Sequence, residues 1–305
     1  MRQKDVIRLF NIIFITYIII YFLRQLYKLE GFRREKRAKG FIIRLGGGFG
    51  NQIFIYAGAL ALKHAFNVPV FLAAPENSGE NGNVHSKTDY RFLFKGCTPI
   101  EDDDERIKQA KHFKFNEAMS YKYYDNNEIP IEEDSYIYFS YHWFQNYEYV
   151  KDVIPEVRES ILPEFARLYP NLKIDNNSSA FIHVRRGDYL TSGFGYRMIP
   201  SKYYQKGLDI LNNNNTIQTI YIISDDIAWC KKEKWNSTKK IVFYDEPDEM
   251  KTLYLMSQCS KGAVISNSTF SLWGVLLGAY HKNGVIIYPS SENFLKPLPR
   301  NWIKI

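Results

Sequence analysis

The chain has 305 residues, enough to bury one large core or two modest ones, and a formal net charge of +7. Ten of its 40 Lys/Arg and three of its 33 Asp/Glu lie in residues 1–39, so residues 40–305 hold 30 of each sign. A basic excess confined to one end, with a neutral remainder, argues against nucleic acid as a partner.

Residues 9–23 are uncharged and largely Ile, Phe and Tyr, and the apolar run widens to 6–29 past Arg8 and Arg24. A spanning helix needs about 20 mostly apolar residues, and basic side chains at its ends can snorkel. The run therefore reads as an N-terminal transmembrane helix, with an interfacial amphipathic helix as the alternative. No small-residue cleavage site follows, which favours a retained anchor over a signal peptide. A basic stalk continues to Lys39. By charge alone the richer, C-terminal flank belongs in the cytosol.

Residues 41–45 then read as a strand and 52–65 as a helix. Between them lies Gly46-Gly47-Gly48-Phe49-Gly50-Asn51-Gln52. Strand, glycine turn and helix start together favour an anion, through exposed N–H groups and the helix dipole. The signal is weak alone, because the turn lacks both the Lys-Ser/Thr of a P-loop and a clean G-x-G-x-x-G. Further strands are expected at 70–73 and 136–140, and a helix at 146–161. The acidic run 101–105 reads as a solvated loop, and 175–179 as a polar joint.

A second series follows, with strands at 180–184, 219–223, 241–243, 263–265 and 285–288. Helices at 201–212, 249–258 and 269–279 alternate with them. Such alternation implies parallel sheets with crossover helices. Two series, each opening on a strand and a glycine turn, suggest two Rossmann-like domains facing a cleft. The first strand of the second series ends in His183-Val184-Arg185-Arg186-Gly187-Asp188-Tyr189. Adjacent arginines on a strand point to opposite faces, but a bend at Gly187 lets both reach one group, and Arg suits bidentate phosphate binding. Asp225-Asp226, after the next strand, is the one credible divalent-metal candidate, since hard cations want carboxylate oxygens. Ser268 and Thr269 stand where a helix begins, either as N-caps or as anion ligands. Cys97, Cys230 and Cys259 fit neither a zinc set nor a disulfide framework. Sequons at Asn176, Asn177, Asn214 and Asn236 leave the compartment open.

Taken in order, the glycine turn, the arginine segment and Asn267-Ser268-Thr269-Phe270-Ser271-Leu272-Trp273-Gly274 resemble the family 11 glycosyltransferases, the α-1,2-fucosyltransferases. Residues 224–230 and 248–257 are also similar, and the resemblance spans roughly 40–290. Leu272 departs from a Trp usual in that family, a change expected to alter packing and not chemistry. Residues 76–127 match nothing nameable and leave acceptor choice open. The resemblance implies a GT-B-like α/β fold with an anchor and stalk (1–39), an acceptor-side domain (40–175) and a donor-binding domain (176–305).

The implied reaction moves L-fucose from GDP-β-L-fucose to the 2-hydroxyl of a terminal galactose, with inversion and no metal or other cofactor. Arg185 and Arg186 would stabilise the leaving phosphate, helped by Ser268, Thr269 and the start of the helix at Phe270. Gly48 and Gly50 would let the backbone approach the donor, and Asn51 would add a directed hydrogen bond. His183 would seat the guanosine and Asp225 the guanine. Asp188 would orient the arginines or act as base. A Golgi membrane location, single-pass type II, is implied, against the charge rule; a bacterial inner-membrane or cytoplasmic enzyme is the alternative. Rival readings are a protein O-fucosyl or α-1,6 enzyme, and a catalytically dead, membrane-anchored glycan-binding protein.

Overall fold

The computed structural model describes residues 38–75, 88–113, 129, 131, 133–139, 142–190, 198–278, 284–290 and 298–305, without the side chain of Asp188. Two parallel sheets organise them. The first is built from β1 (Gly40–Arg44), β2 (Val70–Ala73), β3 (Thr98–Ile100), β4 (Lys111–Phe113) and β5 (Tyr136–Phe139), in the order β3-β2-β1-β5-β4. Phe41, Ile42 and Ile43 have no exposed surface. An unbroken apolar run of that kind belongs to a strand covered on both faces. In register, Phe41 lies opposite Val70 on one side and Ile137 on the other.

The second sheet holds β6 (Ser179–Val184), β7 (Thr219–Ser224), β8 (Lys240–Tyr244), β9 (Gly262–Val264), β10 (Val285–Tyr288) and β11 (Ile303–Lys304), in the order β11-β10-β9-β6-β7-β8. The connecting helices are α1 (Phe49–Phe66), α2 (Glu105–Gln109), α3 (Tyr147–Val150), α4 (Ile154–Leu168), α5 (Ser201–Asn212), α6 (Ile227–Lys232), α7 (Glu249–Gln258) and α8 (Thr269–Leu277). In each sheet the chain builds outward on one side of its first strand and then fills the other. The order therefore reverses between β1 and β5, and between β6 and β9. Such switch points open a crevice at the carboxyl ends of the strands. The glycine turn follows β1, the arginines follow β6, and residues 265–268 follow β9.

The two sheets share one apolar core, in which α1 and α4 pack against α7 and α8. Phe54 of α1 meets Trp273 of α8 edge-on at 5.0 Å. Arg158 of α4 donates to the carbonyls of Leu276 at 2.7 Å and Gly278 at 2.8 Å, satisfying last-turn acceptors that a helix leaves open. Tyr169 donates to Asp248 at 2.6 Å, and Tyr90 bonds Glu249. Leu272 is fully buried in this core. A separate cluster covers the other face of the second sheet with Tyr203, Tyr204, Leu208 and Leu211 of α5.

The acidic run is exposed, as expected of a solvated loop, and its acids have partners: Asp102 pairs with Arg44 at 2.8 Å, Glu101 with Arg91 at 3.0 Å, and Asp104 caps α2. Helix α4 does not stop at 161 but passes through Pro163, and the full burial of Phe165 beyond it offsets the lost hydrogen bond. The three cysteines are unpaired, and burial pushes the Cys97 thiol up to about 12 and that of Cys230 to about 11. The anchor and stalk fall outside the described residues except for Ala38 and Lys39. Among the described residues no helix is long and apolar enough to cross a membrane.

Candidate active site

The segment after β6 turns sharply at Gly187, where a Cβ would come 2.5 Å from Asp225 Oδ2. Glycine lets that carboxylate close on the turn. Arg185 pairs with Asp225 at 2.7 Å, and the Arg186 backbone N–H donates to Asp225 Oδ1 at 2.9 Å. Arg186 Nε pairs with Asp226 at 3.1 Å, and its guanidinium lies 4.0 Å over the ring of Trp229. Arg185 stands 5.6 Å over Tyr189, whose hydroxyl donates to the carbonyl of Asn267 at 2.8 Å. The result is a half-buried array of two guanidiniums and two carboxylates, in which each charge has a partner. Asp225, expected at a nucleobase, has both oxygens on the arginine loop, and Asp226 is committed to Arg186.

The glycine turn explains itself differently at each residue. Gly47 has φ +66, and a Cβ there would lie 2.4 Å from Asn51 Nδ2 and 2.9 Å from the Trp143 ring, so both conformation and space demand glycine. Gly48 is the N-cap of α1 and offers no side-chain cap. Gly50 faces the protein: a Cβ would come 2.5 Å from the Phe270 backbone nitrogen. The N-termini of α1 and α8 therefore abut, and the missing side chain of Gly50 makes that contact possible.

Asn51 joins the two halves, since its Oδ1 accepts from Thr269 Oγ1 at 2.8 Å and from Gln145 Nε2 at 2.9 Å. Ser268 takes the capping role, accepting from the Phe270 N–H at 3.3 Å. His183 is 4% exposed, with Nδ1 2.8 Å from Ser266 Oγ and its ring 5.7 Å from that of Phe270. Burial first, then the Arg185 charge, pushes it down to about 3, so it is neutral. It lies buried behind Ser266 and Phe270, at the end of β6.

Sequence reasoning missed residues 142–146, the segment after β5 that supplies Trp143 and Gln145. Trp229 and Asn267 lay within quoted motifs but were given no role; among the described residues the buried Nδ2 of Asn267 has no partner. The signal for the first pair was available: a loop at the carboxyl end of a strand beside β1 belongs to the crevice once the strand order is known.

The chain is 27% identical to "O-antigen biosynthesis glycosyltransferase WbnK" of Escherichia coli, across 86% of this chain and 99% of that one. It is 24% identical to "Alpha-1,2-colitosyltransferase" of Escherichia coli, across 87% and 98%. It is 25% identical to "Galactoside 2-alpha-L-fucosyltransferase Sec1" of Mus musculus, across 87% and 70%. The family model "Glycosyl transferase family 11" matches residues 17–305, and the chain belongs to that family.

Proposed function

We propose that the protein is an inverting α-1,2-fucosyltransferase, moving L-fucose from GDP-β-L-fucose to the 2-hydroxyl of a terminal galactose. The observation that carries this reading is the pair Arg185–Asp225 and Arg186–Asp226 at the β6 switch point, in a chain whose family includes a galactoside 2-fucosyltransferase relative. In this reading the two halves form a GT-B arrangement around a cleft, with the donor held against β6 and β9.

The acceptor oxygen attacks C1 of the fucosyl group as the bond from C1 to the β-phosphate oxygen breaks. Negative charge gathers on the diphosphate, so the largest help comes from preorganised donors at that position. Asp226 takes only the Nε end of the Arg186 fork, which leaves the terminal nitrogens for phosphate oxygens. Asp225 and Asp226 hold the arginines, Trp229 fixes the plane of Arg186, and the N-termini of α1 and α8 add oriented dipoles. The arginines carry the charge that a metal supplies elsewhere, and no metal is invoked. Asp188 keeps both assignments, orienting group or base for the acceptor proton. A second donor reading, a colitosyl group in place of fucosyl, is favoured by the colitosyltransferase relative and would use the same residues.

Calorimetric titration with GDP and UDP in the presence of EDTA tests the donor side. Binding of GDP and not UDP is expected. Equal binding of UDP would remove the guanosine assignment, and loss of GDP binding restored by Mn²⁺ would turn Asp225 and Asp226 into metal ligands.

A further inference from the structure

Asn51 presents an unusual arrangement. An amide has one acceptor end and one donor end, and here two donors, Gln145 Nε2 at 2.9 Å and Thr269 Oγ1 at 2.8 Å, converge on the oxygen. The amide nitrogen is thereby turned the opposite way, onto the glycine turn, where it sits 2.4 Å from the position a Cβ of Gly47 would take. Which way an Asn amide faces is decided by its hydrogen-bond partners; the Thr269 hydroxyl can donate or accept, so the deciding partner is the Gln145 NH₂ group.

Gln145 is held in place by more than its own bond. Phe144, immediately before it, is fully buried with φ 49, a left-handed conformation rare for a bulky side chain. Its ring fills a notch over Gly58, where a Cβ would come 2.2 Å from Phe144 Cγ. On the other side, Asn146 caps α3 through its side chain. Strain of this kind persists only where the surroundings enforce it, and it collects at functional sites. The anchored Phe144 places the 9% exposed side chain of Gln145 against Asn51.

We infer that Gln145 is a positioning residue that locks the Asn51 amide with its NH₂ group toward the glycine turn, where it donates to an oxygen of the sugar–diphosphate donor. The inference rests on the donor reading above. It assigns the first sheet's half a defined part in donor binding, through a residue in none of the sequence motifs. A flipped Asn51 would turn its carbonyl oxygen on the anionic donor, replacing an attraction by a repulsion.

The test compares Gln145→Glu and Gln145→Leu with the native enzyme, following donor KM and kcat separately across pH. The ionised carboxylate of the Gln145→Glu enzyme accepts but cannot donate, so it should draw the Asn51 NH₂ toward itself and flip the amide. Protonation restores a donor. The expected result for Gln145→Glu is a donor KM raised roughly tenfold or more at high pH, returning toward the native value as the carboxyl protonates. Gln145→Leu should show a raised KM that does not recover at low pH. A Gln145→Glu enzyme impaired equally at every pH, or a Gln145→Leu enzyme with native donor KM, would overturn the inference. A native enzyme that turns over no GDP-sugar would instead sink the donor reading, and this inference with it.

Discussion

Arg186 is constrained from three sides: Asp226 grips its Nε, Trp229 lies under its plane, and its backbone N–H is tied to Asp225. Lysine keeps the charge but has neither the planar fork nor a face to stack. Arg186→Lys should therefore lower kcat/KM by roughly two orders of magnitude or more while the protein stays folded. Steady-state kinetics beside a thermal melt checks this, and near-native turnover in a folded variant would show that the fork does not hold the leaving group. His183 makes a prediction about pH. Folded, its pKa is pushed down to about 3 against 6.5 in the free side chain. As pH falls below the unfolded value, the unfolded chain takes up a proton that the folded chain refuses, so stability drops from about pH 6.5 toward pH 3. A His183→Asn variant should show a shallower loss of melting temperature across that window, and an unchanged slope would mean that His183 is charged in the fold. Residue types were the legible part of the site. Arg185, Arg186, Asn51 and Thr269 stand out in the chain because they follow apolar strands and open helices, where anion-binding chemistry collects. Their partners were not legible, because the bonds of Arg186 to Asp226 and of Asn51 to Gln145 are made across the fold.

At the scale of elements, the contact that matters most is the meeting of α1 and α8 at their first turns. Gly50 rests on the backbone of Thr269 and Phe270, and backbone cannot step aside as a flexible side chain can. Gly50→Ala should cost about 1–3 kcal/mol of stability by overpacking, and it should weaken donor binding by prising Asn51 from Thr269. A chemical denaturation curve with a nucleotide titration reads both, and native stability in the variant would show that the two helices yield easily. The central strands and long helices were readable because a wholly buried parallel strand is a solid apolar run and helix faces repeat. Strands β3 and β4 were not. Each has three residues, and Thr98, Pro99, Lys111 and His112 are exposed, so neither run nor alternation marks them. The ion pairs of the acidic run were not legible for a related reason: their arginines, Arg44 and Arg91, come from elsewhere in the chain.

For the whole molecule, the shared core decides how far the chain can be cut. Ala38 is already buried, and the Lys39 N–H donates to the carbonyl of Ser135 at 2.8 Å. Residues 38–305 contain both sheets and every site side chain named above. Deleting residues 1–37 should give a protein that stays in solution and binds GDP as the full chain does, measured by calorimetry. Aggregation or lost binding would mean that the deleted segment completes the core. The most direct test of the account is transfer itself. The purified protein is incubated with GDP-β-L-fucose and a galactose-terminated acceptor, and the product linkage is determined by NMR. The account predicts an α-linked fucose on the 2-hydroxyl of galactose; a fucose on any other hydroxyl, or release of free fucose without transfer, would contradict it.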